Sequence, residues 1–192
     1  MSWLIVVLGY LIGSIPTAFI AGRLLKGGDI RRMGDGNAGA RNAFFELGTK
    51  AGIGIFVIDA GKGALAIVIA QAAGLSQGLT LLTGVAAVVG HNWPVFIGFR
   101  GGRGEATTIG VLATLMTPPM LIMLVATLAT LIIKKNVILA SAVLFMPLPL
   151  VSWLMGVPGW LIGYSIALPC LVGITDFAKK RRLARTSGAG SA

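Results

Sequence analysis

The sequence predicts an all-α protein that crosses a membrane many times, and three observations lead to this prediction. Hydrophobic residues make up 56% of the 192 residues and charged residues only 11%, less than half of the roughly 25% that soluble domains carry. The mean hydropathy is +0.90. Apolar segments recur along the chain at about the 20-residue length that a spanning helix needs. We therefore expect a polytopic transmembrane helix bundle that forms a single domain over residues 1–185.

We place seven membrane segments along the chain. The first carries no charge through residue 22 and exceeds the about 7–15 apolar residues of a signal-peptide core, so we expect it to remain as a spanning helix. The fourth and fifth meet at Pro118-Pro119 and are short, so they need a thinned bilayer or burial against protein. Merging these two would give six spans. The tail 186–192 is predicted to be disordered or a leftover linker. The seven segments are 2–25, 51–74, 78–97, 105–117, 119–133, 136–156 and 158–176.

The basic residues favour seven segments over six. With the N-terminus outside, all 16 Lys and Arg fall at inner loops or inner helix ends, except Lys62, which lies inside a span. Six segments would place Arg100 and Arg103 opposite Lys134 and Lys135. Because Lys and Arg concentrate on the cytoplasmic side, we predict a cytoplasmic C-terminus. Topology and attraction to anionic lipid then explain the net charge of +10, and we expect no nucleic-acid partner.

The cysteine and histidine content excludes several kinds of site. Cys170 is the single cysteine and His91 the single histidine. An internal disulfide needs two cysteines, and zinc sites are built from several Cys or His ligands. We therefore expect no metal site.

Two glycine-rich loops lie on the predicted inner face, at 34–42 and at 101–108, where the second leads directly into a helix. Glycine allows successive N–H groups to converge on an anion, and a helix N-terminus adds donors. Arginine adds bidentate recognition of phosphate. We predict that at least one loop binds a phosphate-bearing ligand; the alternative is that the glycines only form tight turns. The candidate binding residues are Gly34, Gly36, Gly39, Arg41, Asn42, Lys62, Gly101, Gly102, Gly104, Thr107 and Thr108.

Four further side chains carry chemistry at membrane depth. Asp59 and Lys62 share a helix face and mark either a functional cavity or a structural ion pair that fixes packing. His91 is either a base suited to neutral pH or a histidine bonded to a backbone carbonyl in the turn before Pro94. Ser141 either faces a cavity or bonds along its own helix. Two residues are expected to support the site, namely Gly63 and Pro94.

Five motifs together resemble the bacterial acyl-phosphate:glycerol-3-phosphate acyltransferases. They are Gly-Ser-Ile-Pro at 13–16, GxGNxGAxN at 34–42, DxxKG at 59–63, HxxPVF at 91–96, and FRGGRGxAT at 99–107. The order and spacing of the motifs match over about residues 1–145. Each motif alone is weak, but the five in order make the resemblance fairly specific.

The resemblance implies a multi-pass enzyme of the bacterial inner membrane whose active face is cytoplasmic. The family transfers a fatty acyl group from acyl phosphate to the 1-hydroxyl of glycerol 3-phosphate, and the product is lysophosphatidic acid. Neither coenzyme A nor a metal is used, so no cofactor is expected, and the partners are the two substrates and membrane lipid. The oligomeric state stays open, and a monomer is compatible with the pattern. We assign catalytic roles to Arg103, His91, Asn37 and Ser141.

The chain departs from the family pattern at several positions. The family usually has Ser, Thr and Arg where this chain has Asp35, Arg41 and Phe45. Because Arg41 and Phe45 are one helical turn apart, Arg41 could reach the pocket in a compensating exchange. Glu105 replaces a small apolar residue, and the stretch 175–180 lacks the usual His-Arg pair and Asn. We therefore keep open a different phosphorylated acceptor or lost catalysis, and also a transporter or flippase of an organic phosphate or lipid.

Overall fold

The computed structural model describes residues 2–188 and the side chains of residues 2–181. Within that range the regular elements are helices: ten α-helices and two short 3-10 turns, at Ile30–Arg32 and Val95–Ile97. The α-helices are α1 (Ser2–Gly13), α2 (Thr17–Lys26), α3 (Ala40–Glu46), α4 (Thr49–Ala72), α5 (Gln77–Asn92), α6 (Glu105–Leu115), α7 (Thr117–Lys134), α8 (Val137–Phe145), α9 (Leu148–Leu154) and α10 (Gly159–Gly188).

Six helical segments of the described chain are long and apolar enough to cross a membrane, and they confirm six of the seven predicted segments as candidate spans. The other predicted segment, 105–117, is the helix α6 of 11 residues. At 1.5 Å per residue it extends about 16 Å, roughly half of the 30 Å hydrocarbon core. The six candidate spans are Ser2–Lys26, Thr49–Ala72, Gln77–Ile97, Thr117–Lys134, Val137–Leu154 and Gly159–Arg181.

The C-terminal helix is longer than expected. The sequence predicted a segment at 158–176, whereas α10 continues to Gly188. The predicted tail 186–192 therefore begins inside this helix, and residues 189–192 lie outside the described residues.

The first span is broken between α1 and α2 at residues 14–16. Pro16 has no N–H to continue the helical ladder, so the helix ends before it and restarts at Thr17. The break exposes polar groups to α4: Lys62 Nζ donates to the Ile15 carbonyl at 3.1 Å. The Thr17 hydroxyl donates to Asp59 Oδ1 at 3.0 Å. A local backbone break thus supplies the partners of two buried charges.

Small residues allow α4 and α6 to pack backbone against backbone. A Cβ built on Gly110 of α6 would overlap the Ala60 carbonyl of α4, and a Cβ on Gly63 of α4 would overlap the Thr107 carbonyl. Between apolar helices such close approach increases van der Waals contact, which is the main attraction available inside lipid. This contact positions the short α6, and with it the second glycine-rich loop.

α6 runs in the same direction as α8 and α9. Glu105, at the start of α6, contacts Ser141, which lies in the middle of α8 and in the first third of the α8–α9 segment. Met116, just beyond the end of α6, lies beside Ser152 of α9, whose hydroxyl is 3.8 Å from the Met116 sulfur. The residues after α6 and those before α10 line one cavity of about 330 Å³ at this second end of the bundle.

The apolar core lies between α5, α6, α7 and the helices that follow them. Eight of its side chains are at most 1% exposed: Ile67, Val88, Val111, Leu112, Met120, Leu144, Leu148 and Leu168. Many large apolar side chains elsewhere are exposed on the outside of the bundle, which is the arrangement expected where lipid replaces water.

The α4–α6 contact predicts a stability difference between two glycine substitutions. We expect Gly110→Ala to push α6 away from α4, because the new Cβ would meet the Ala60 backbone. An overpacked core side chain costs about 1–3 kcal/mol, so the melting temperature of detergent-purified protein should fall by roughly 2–12 °C. Gly61→Ala is the matched control, since a Cβ on Gly61 meets no atom within 4 Å. Equal melting temperatures for the two variants would contradict the close contact.

Candidate active site

The two glycine-rich loops meet at one end of the bundle. The first joins α2 to α3, and the second joins α5 to α6. Arg103 Nη2 of the second loop lies 3.2 Å from Asp35 Oδ2 of the first. A Cβ on Gly102 would lie 2.9 Å from the carbonyl oxygen of Ala38. Both predicted loops therefore belong to one site.

The first loop is organised around the side chain of Asn42, which is only 3% exposed. Its Nδ2 group donates to the carbonyls of Ile30 at 3.1 Å, Met33 at 2.9 Å and Asn37 at 3.0 Å. Its Oδ1 accepts from the Asp35 N–H at 3.1 Å. The amide is thus engaged inside the loop, where it holds the main chain in place, and is not presented to a ligand.

Three glycines of the loops have left-handed backbone. The φ angles of Gly34, Gly36 and Gly104 are +54°, +72° and +86°, a region that glycine adopts at little cost. Gly39 precedes α3 with extended backbone, and a Cβ there would lie 2.8 Å from the Asn37 amide nitrogen. These positions need glycine for conformation or space, so turn formation accounts for part of the predicted glycine pattern.

The second loop is fixed to the ends of α5 and α10. The Gly101 N–H donates to the Asn92 carbonyl at 3.2 Å, and the Gly102 N–H donates to the His91 carbonyl at 3.1 Å. Lys179 Nζ donates to the carbonyl of Gly101 at 2.7 Å and also to that of Gly102. Two of the predicted anion-binding N–H groups are therefore engaged within the protein, and the donors left are those of the first turn of α6.

Pro94 and the turn after it direct the second loop back to α5. The Phe99 N–H donates to the Pro94 carbonyl at 2.9 Å. A Cβ on Gly101 would lie 2.5 Å from Pro94 Cδ, so the loop packs directly on the proline ring. Pro94 therefore positions the loop.

Two hydroxyls at the start of α6 are buried without a partner. Thr107 and Thr108 are both 0% exposed, and neither Oγ1 atom has a hydrogen-bond partner among the side chains and backbone that the structure describes. The Asn37 Oδ1 atom is in the same condition. A buried polar atom without a partner is costly, so these three atoms are available to a ligand or water.

Arg103 and Arg41 converge on one carboxylate. Besides its contact with Asp35, Arg103 is bound through Nε to Asp176 Oδ1 at 2.7 Å. Arg41 Nη1 lies 3.6 Å from the same Asp35 Oδ2 atom. The Arg41 guanidinium is also 5.8 Å from the centroid of the Phe45 ring, so it lies beside the position expected for the family's arginine.

A buried polar group borders this site. Asp59 and Lys62 are 1% and 5% exposed and form an ion pair at 2.8 Å. His91 lies between Asp59, which is 3.7 Å from Nδ1, and Gly102, where a Cβ would overlap Nε2. The cavity here is about 10 Å³, roughly one water. It is lined by Ile15, Pro16, Thr17, Ala38, Asp59, Lys62, His91, Pro94, Ile97, Gly101 and Gly102.

Ser141 bonds along its own helix, one of the two alternatives that the sequence left open, and also contacts Glu105. Its hydroxyl is 2.9 Å from the Val137 carbonyl of its own helix and also contacts the Glu105 carboxylate. Glu105 therefore links the start of α6 to α8 near Arg103.

The side chain of Arg31, outside the spans, forms an ion pair with Asp29 and a hydrogen bond to the turn before the second loop. Arg31 Nη2 lies 2.8 Å from Asp29 Oδ2, and hydrogen bonds from the Arg31 side chain hold the pKa of Asp29 below its usual value. Arg31 Nη1 donates to the Ile97 carbonyl at 2.8 Å. The segment before the first loop is thus attached to the turn that precedes the second.

Sequence reasoning missed four residues that build the site: Thr17, Asn92, Asp176 and Lys179. Asp176 and Lys179 lie at the basic end of the last helix, and the sequence analysis attributed the charges there to membrane orientation alone. Their spacing of three residues, which places both on one helix face, was the available signal. Asn92 donates to the Thr175 hydroxyl at 3.1 Å and adds another link between α5 and α10.

The fold and the site define an integral membrane protein with a cation-rich cleft at one end of an apolar helix bundle. Residues 3–186 match the family model described as Glycerol-3-phosphate acyltransferase, and the chain belongs to this family. The resemblance seen in the motifs is confirmed.

Two relatives cover nearly the whole chain. "Glycerol-3-phosphate acyltransferase 4" of Dehalococcoides mccartyi is 52% identical over 95% of this chain and 98% of its own length. "Glycerol-3-phosphate acyltransferase" of a Synechococcus species is 37% identical over 89% of this chain and 86% of its own.

Two solved structures are similar to the fold, both of PlsY, described as an integral membrane glycerol 3-phosphate acyltransferase. The glycerol 3-phosphate form has a TM-score of 0.83 at 32% identity. The lysophosphatidic acid form has a TM-score of 0.80 at 31% identity. Each similarity covers 96% of this chain and 92% of the other.

The Asp59–Lys62 pair allows a test of its two roles. Removing one partner of a buried ion pair costs about 3–5 kcal/mol, because the other charge stays buried alone. We expect Lys62→Met to lower the melting temperature strongly and Asp59→Asn/Lys62→Met to recover much of the loss. Acyltransferase turnover of the stable double variant then separates the roles: retained turnover indicates packing alone, and lost turnover indicates that the pair also serves the site, through substrate contact or through the contact of Asp59 with His91. A Lys62→Met variant as stable as the wild type would contradict the energetic pairing.

Proposed function

We propose that this protein transfers an acyl group from acyl phosphate to the 1-hydroxyl of glycerol 3-phosphate and so forms lysophosphatidic acid. The observation that carries the proposal is the convergence of Arg41 and Arg103, from two glycine-rich loops, at one end of an apolar bundle. Membership of the glycerol-3-phosphate acyltransferase family supports it. So does the similarity to PlsY in forms with glycerol 3-phosphate and lysophosphatidic acid.

The reaction requires that the two substrates are aligned and that positive charge stabilises the negative charge that develops on them. The acceptor hydroxyl attacks the carbonyl carbon of the acyl phosphate, a new C–O bond forms, and the bond from that carbon to the phosphate oxygen breaks. Phosphate leaves with the electron pair, and the hydroxyl proton passes to a base. Because the donor is already activated, alignment of the reactants, worth about 7–11 kcal/mol in favourable cases, and stabilisation of the developing charge can supply most of the rate.

The proposed anion site is made of two guanidiniums, the first turn of α6 and two hydroxyls. Arg103 and Arg41 neutralise phosphate, and the unpaired N–H groups of α6 add donors at a positive helix end. Thr107 and Thr108 offer buried hydroxyls without partners among the described residues. Asn37 Oδ1, likewise unpaired there, is placed to accept a hydrogen bond from an acceptor hydroxyl. Lys62 lines the small cavity that borders the site and adds positive charge there.

His91 is the base that the geometry favours among the side chains. Its Nδ1 atom faces Asp59 at 3.7 Å, which favours the tautomer with hydrogen on Nδ1 and leaves Nε2 as an acceptor. Nε2 faces Gly102 in the second loop, where the acceptor would bind. The phosphate of glycerol 3-phosphate is the other candidate for receiving the proton. Ser141, held by Glu105, is a further polar group beside the start of α6.

We also propose seven membrane segments, an outer N-terminus and a site that opens to the cytoplasm of a bacterial inner membrane. The parallel course of α6 and α8–α9 supports this, since merging α6 with α7 into one span would make α6 and α8 antiparallel. The basic residues at the site end support the orientation. The packing of α6 against α4 provides the protein burial that so short a segment needs.

Cysteine labelling distinguishes seven segments from six. In a Cys170→Ser background, we expect Thr117→Cys to react with a membrane-impermeant maleimide added to spheroplasts. Lys135→Cys should react only after permeabilisation, because seven segments place it inside. Both residues are exposed in the structure, so access within the fold is equal. Labelling of Lys135→Cys in intact spheroplasts would refute the seven-segment topology.

A direct assay tests the reaction. We expect detergent-purified protein, without vesicles, to convert acyl phosphate and glycerol 3-phosphate into lysophosphatidic acid detectable by mass spectrometry. Faster product formation from another phosphorylated alcohol would identify a different acceptor. This alternative is kept because the carboxylates of Asp35, Glu105 and Asp176 lie around Arg103. No product, together with phosphate-ester uptake only in sealed vesicles, would replace the enzyme by a transporter.

Arg103 carries most of the proposed phosphate contact. We expect Arg103→Ala to lower kcat/KM by about 10²–10³, the scale seen when one charge-stabilising donor is removed. Arg100→Ala is the control: Arg100 is in the same loop and exposed, so the same charge change there should alter kcat/KM by less than about threefold. Circular dichroism and size exclusion show whether each variant folds. Full activity of folded Arg103→Ala would remove Arg103 from the site.

A further inference from the structure

Asp35 places a negative charge where the proposed reaction needs a phosphate. One oxygen of its carboxylate, Oδ2, lies 3.2 Å from Arg103 Nη2 and 3.6 Å from Arg41 Nη1. The carboxylate thus sits between the two guanidiniums of the proposed anion site. Its side chain is 32% exposed, so an anion arriving from solvent can compete for the same arginines.

We propose that Asp35 is a specificity-determining residue that occupies the phosphate position in the substrate-free protein and is displaced when a phosphate monoester binds. The inference rests on the proposed function, because it assumes that Arg41 and Arg103 bind the phosphate of a substrate. It adds a residue, Asp35, at which the sequence departs from the family pattern.

The loop is built so that the carboxylate can leave while the main chain stays. The Asp35 N–H is held by Asn42 Oδ1 at 3.1 Å, and Asn42 is itself fixed by three carbonyls. The carboxylate has one other contact in the loop, from the Asn37 N–H to Oδ1 at 3.0 Å. Rotation of the Asp35 side chain therefore breaks that contact and the ion pairs without unfolding the loop.

Arg103 keeps its position when Asp35 leaves. Its Nε atom is bound to Asp176 Oδ1 at 2.7 Å, and Asp176 is in turn 2.7 Å from Lys180 on α10. One edge of the guanidinium is thus anchored to the helix bundle, and the edge towards Asp35 is the exchangeable one. A phosphate oxygen that replaces Asp35 meets an arginine already oriented for it.

The exchange selects by charge. A phosphate monoester carries close to two negative charges at neutral pH, whereas a phosphodiester or a carboxylate carries one. Attraction to two guanidiniums scales with that charge, so a monoester displaces the single charge of Asp35 and a monoanion gains little by doing so. The substrate class favoured by this device is therefore the phosphate monoester of a small alcohol, and a phosphodiester of the same alcohol is disfavoured.

The test compares binding of a monoester and a diester. The dissociation constants of glycerol 3-phosphate and of its methyl phosphodiester, which carries a single negative charge, are measured by calorimetry on detergent-purified wild type, Asp35→Asn and Glu46→Gln. Asp35→Asn keeps the side-chain oxygen that accepts from Asn37 but removes the charge. We expect it to bind glycerol 3-phosphate about three- to tenfold more tightly, the range for loss of partly exposed ion pairs. We also expect it to discriminate less against the diester.

Glu46→Gln is the matched control for charge. Glu46 ends α3 close to Gly34, so its neutralisation changes the charge of the same loop region by the same amount. In the part of the chain whose side chains are described, it forms no ion pair with Arg41 or Arg103. We expect its affinities and its monoester preference to match the wild type within about twofold.

The outcomes separate this inference from the proposed function. Weaker or unchanged binding of glycerol 3-phosphate by Asp35→Asn overturns the displacement, since the carboxylate would then orient the arginines or play no part. The proposed function survives that result if the wild type still binds and acylates glycerol 3-phosphate. A wild type that does neither refutes the proposed function itself. If Asp35→Asn does not purify as a folded monodisperse protein, Asp35→Ser, with the residue usual in the family, takes its place.

Discussion

Arg103 joins the three parts of the chain from which the site is built. It belongs to the second glycine-rich loop, it contacts Asp35 in the first at 3.2 Å, and it contacts Asp176 of α10 at 2.7 Å. Each pair alone is partly exposed and worth little, but a guanidinium with a fixed fork of donors can hold two carboxylates in one plane. In the substrate-free protein this arrangement links loops separated by more than sixty residues at the edge of a bundle held mainly by van der Waals contact.

The same end of the bundle depends on the break in the first span, between α1 and α2. Pro16 interrupts the first span, and the interruption gives Lys62 a carbonyl partner and Asp59 a hydroxyl partner. Without those partners a buried ion pair is a poor source of stability, because desolvation offsets the attraction between the charges. The break, the pair and His91 therefore form one unit, in which a backbone irregularity is tolerated because it lines a polar cavity.

The spans and the loops could be predicted from the sequence because both follow from strong local patterns. Apolar length predicted seven segments, six of which the structure has as helices long and apolar enough to cross a membrane, and glycine next to arginine located both loops. The role of Asn42 could not be predicted: an asparagine in a glycine-rich loop is compatible with substrate contact, and only the fold shows its amide engaged by three carbonyls. Asp176 and Lys179 were hidden for a different reason, since a charged helix end has a sufficient explanation in topology.

The length of α6 connects the fold to the chemistry. A helix of 11 residues places Thr107 and Thr108, in its first turn, inside the bundle, where both are fully buried. Glycine at 63 and 110 makes this depth tolerable, since α4 covers the polar backbone at contact distance. In the proposed reaction, the acyl chain would stay in the hydrocarbon while its phosphate reaches these buried hydroxyls, and glycerol 3-phosphate would enter at Arg41. A reaction between one substrate dissolved in lipid and another dissolved in water would thus account for the short helix.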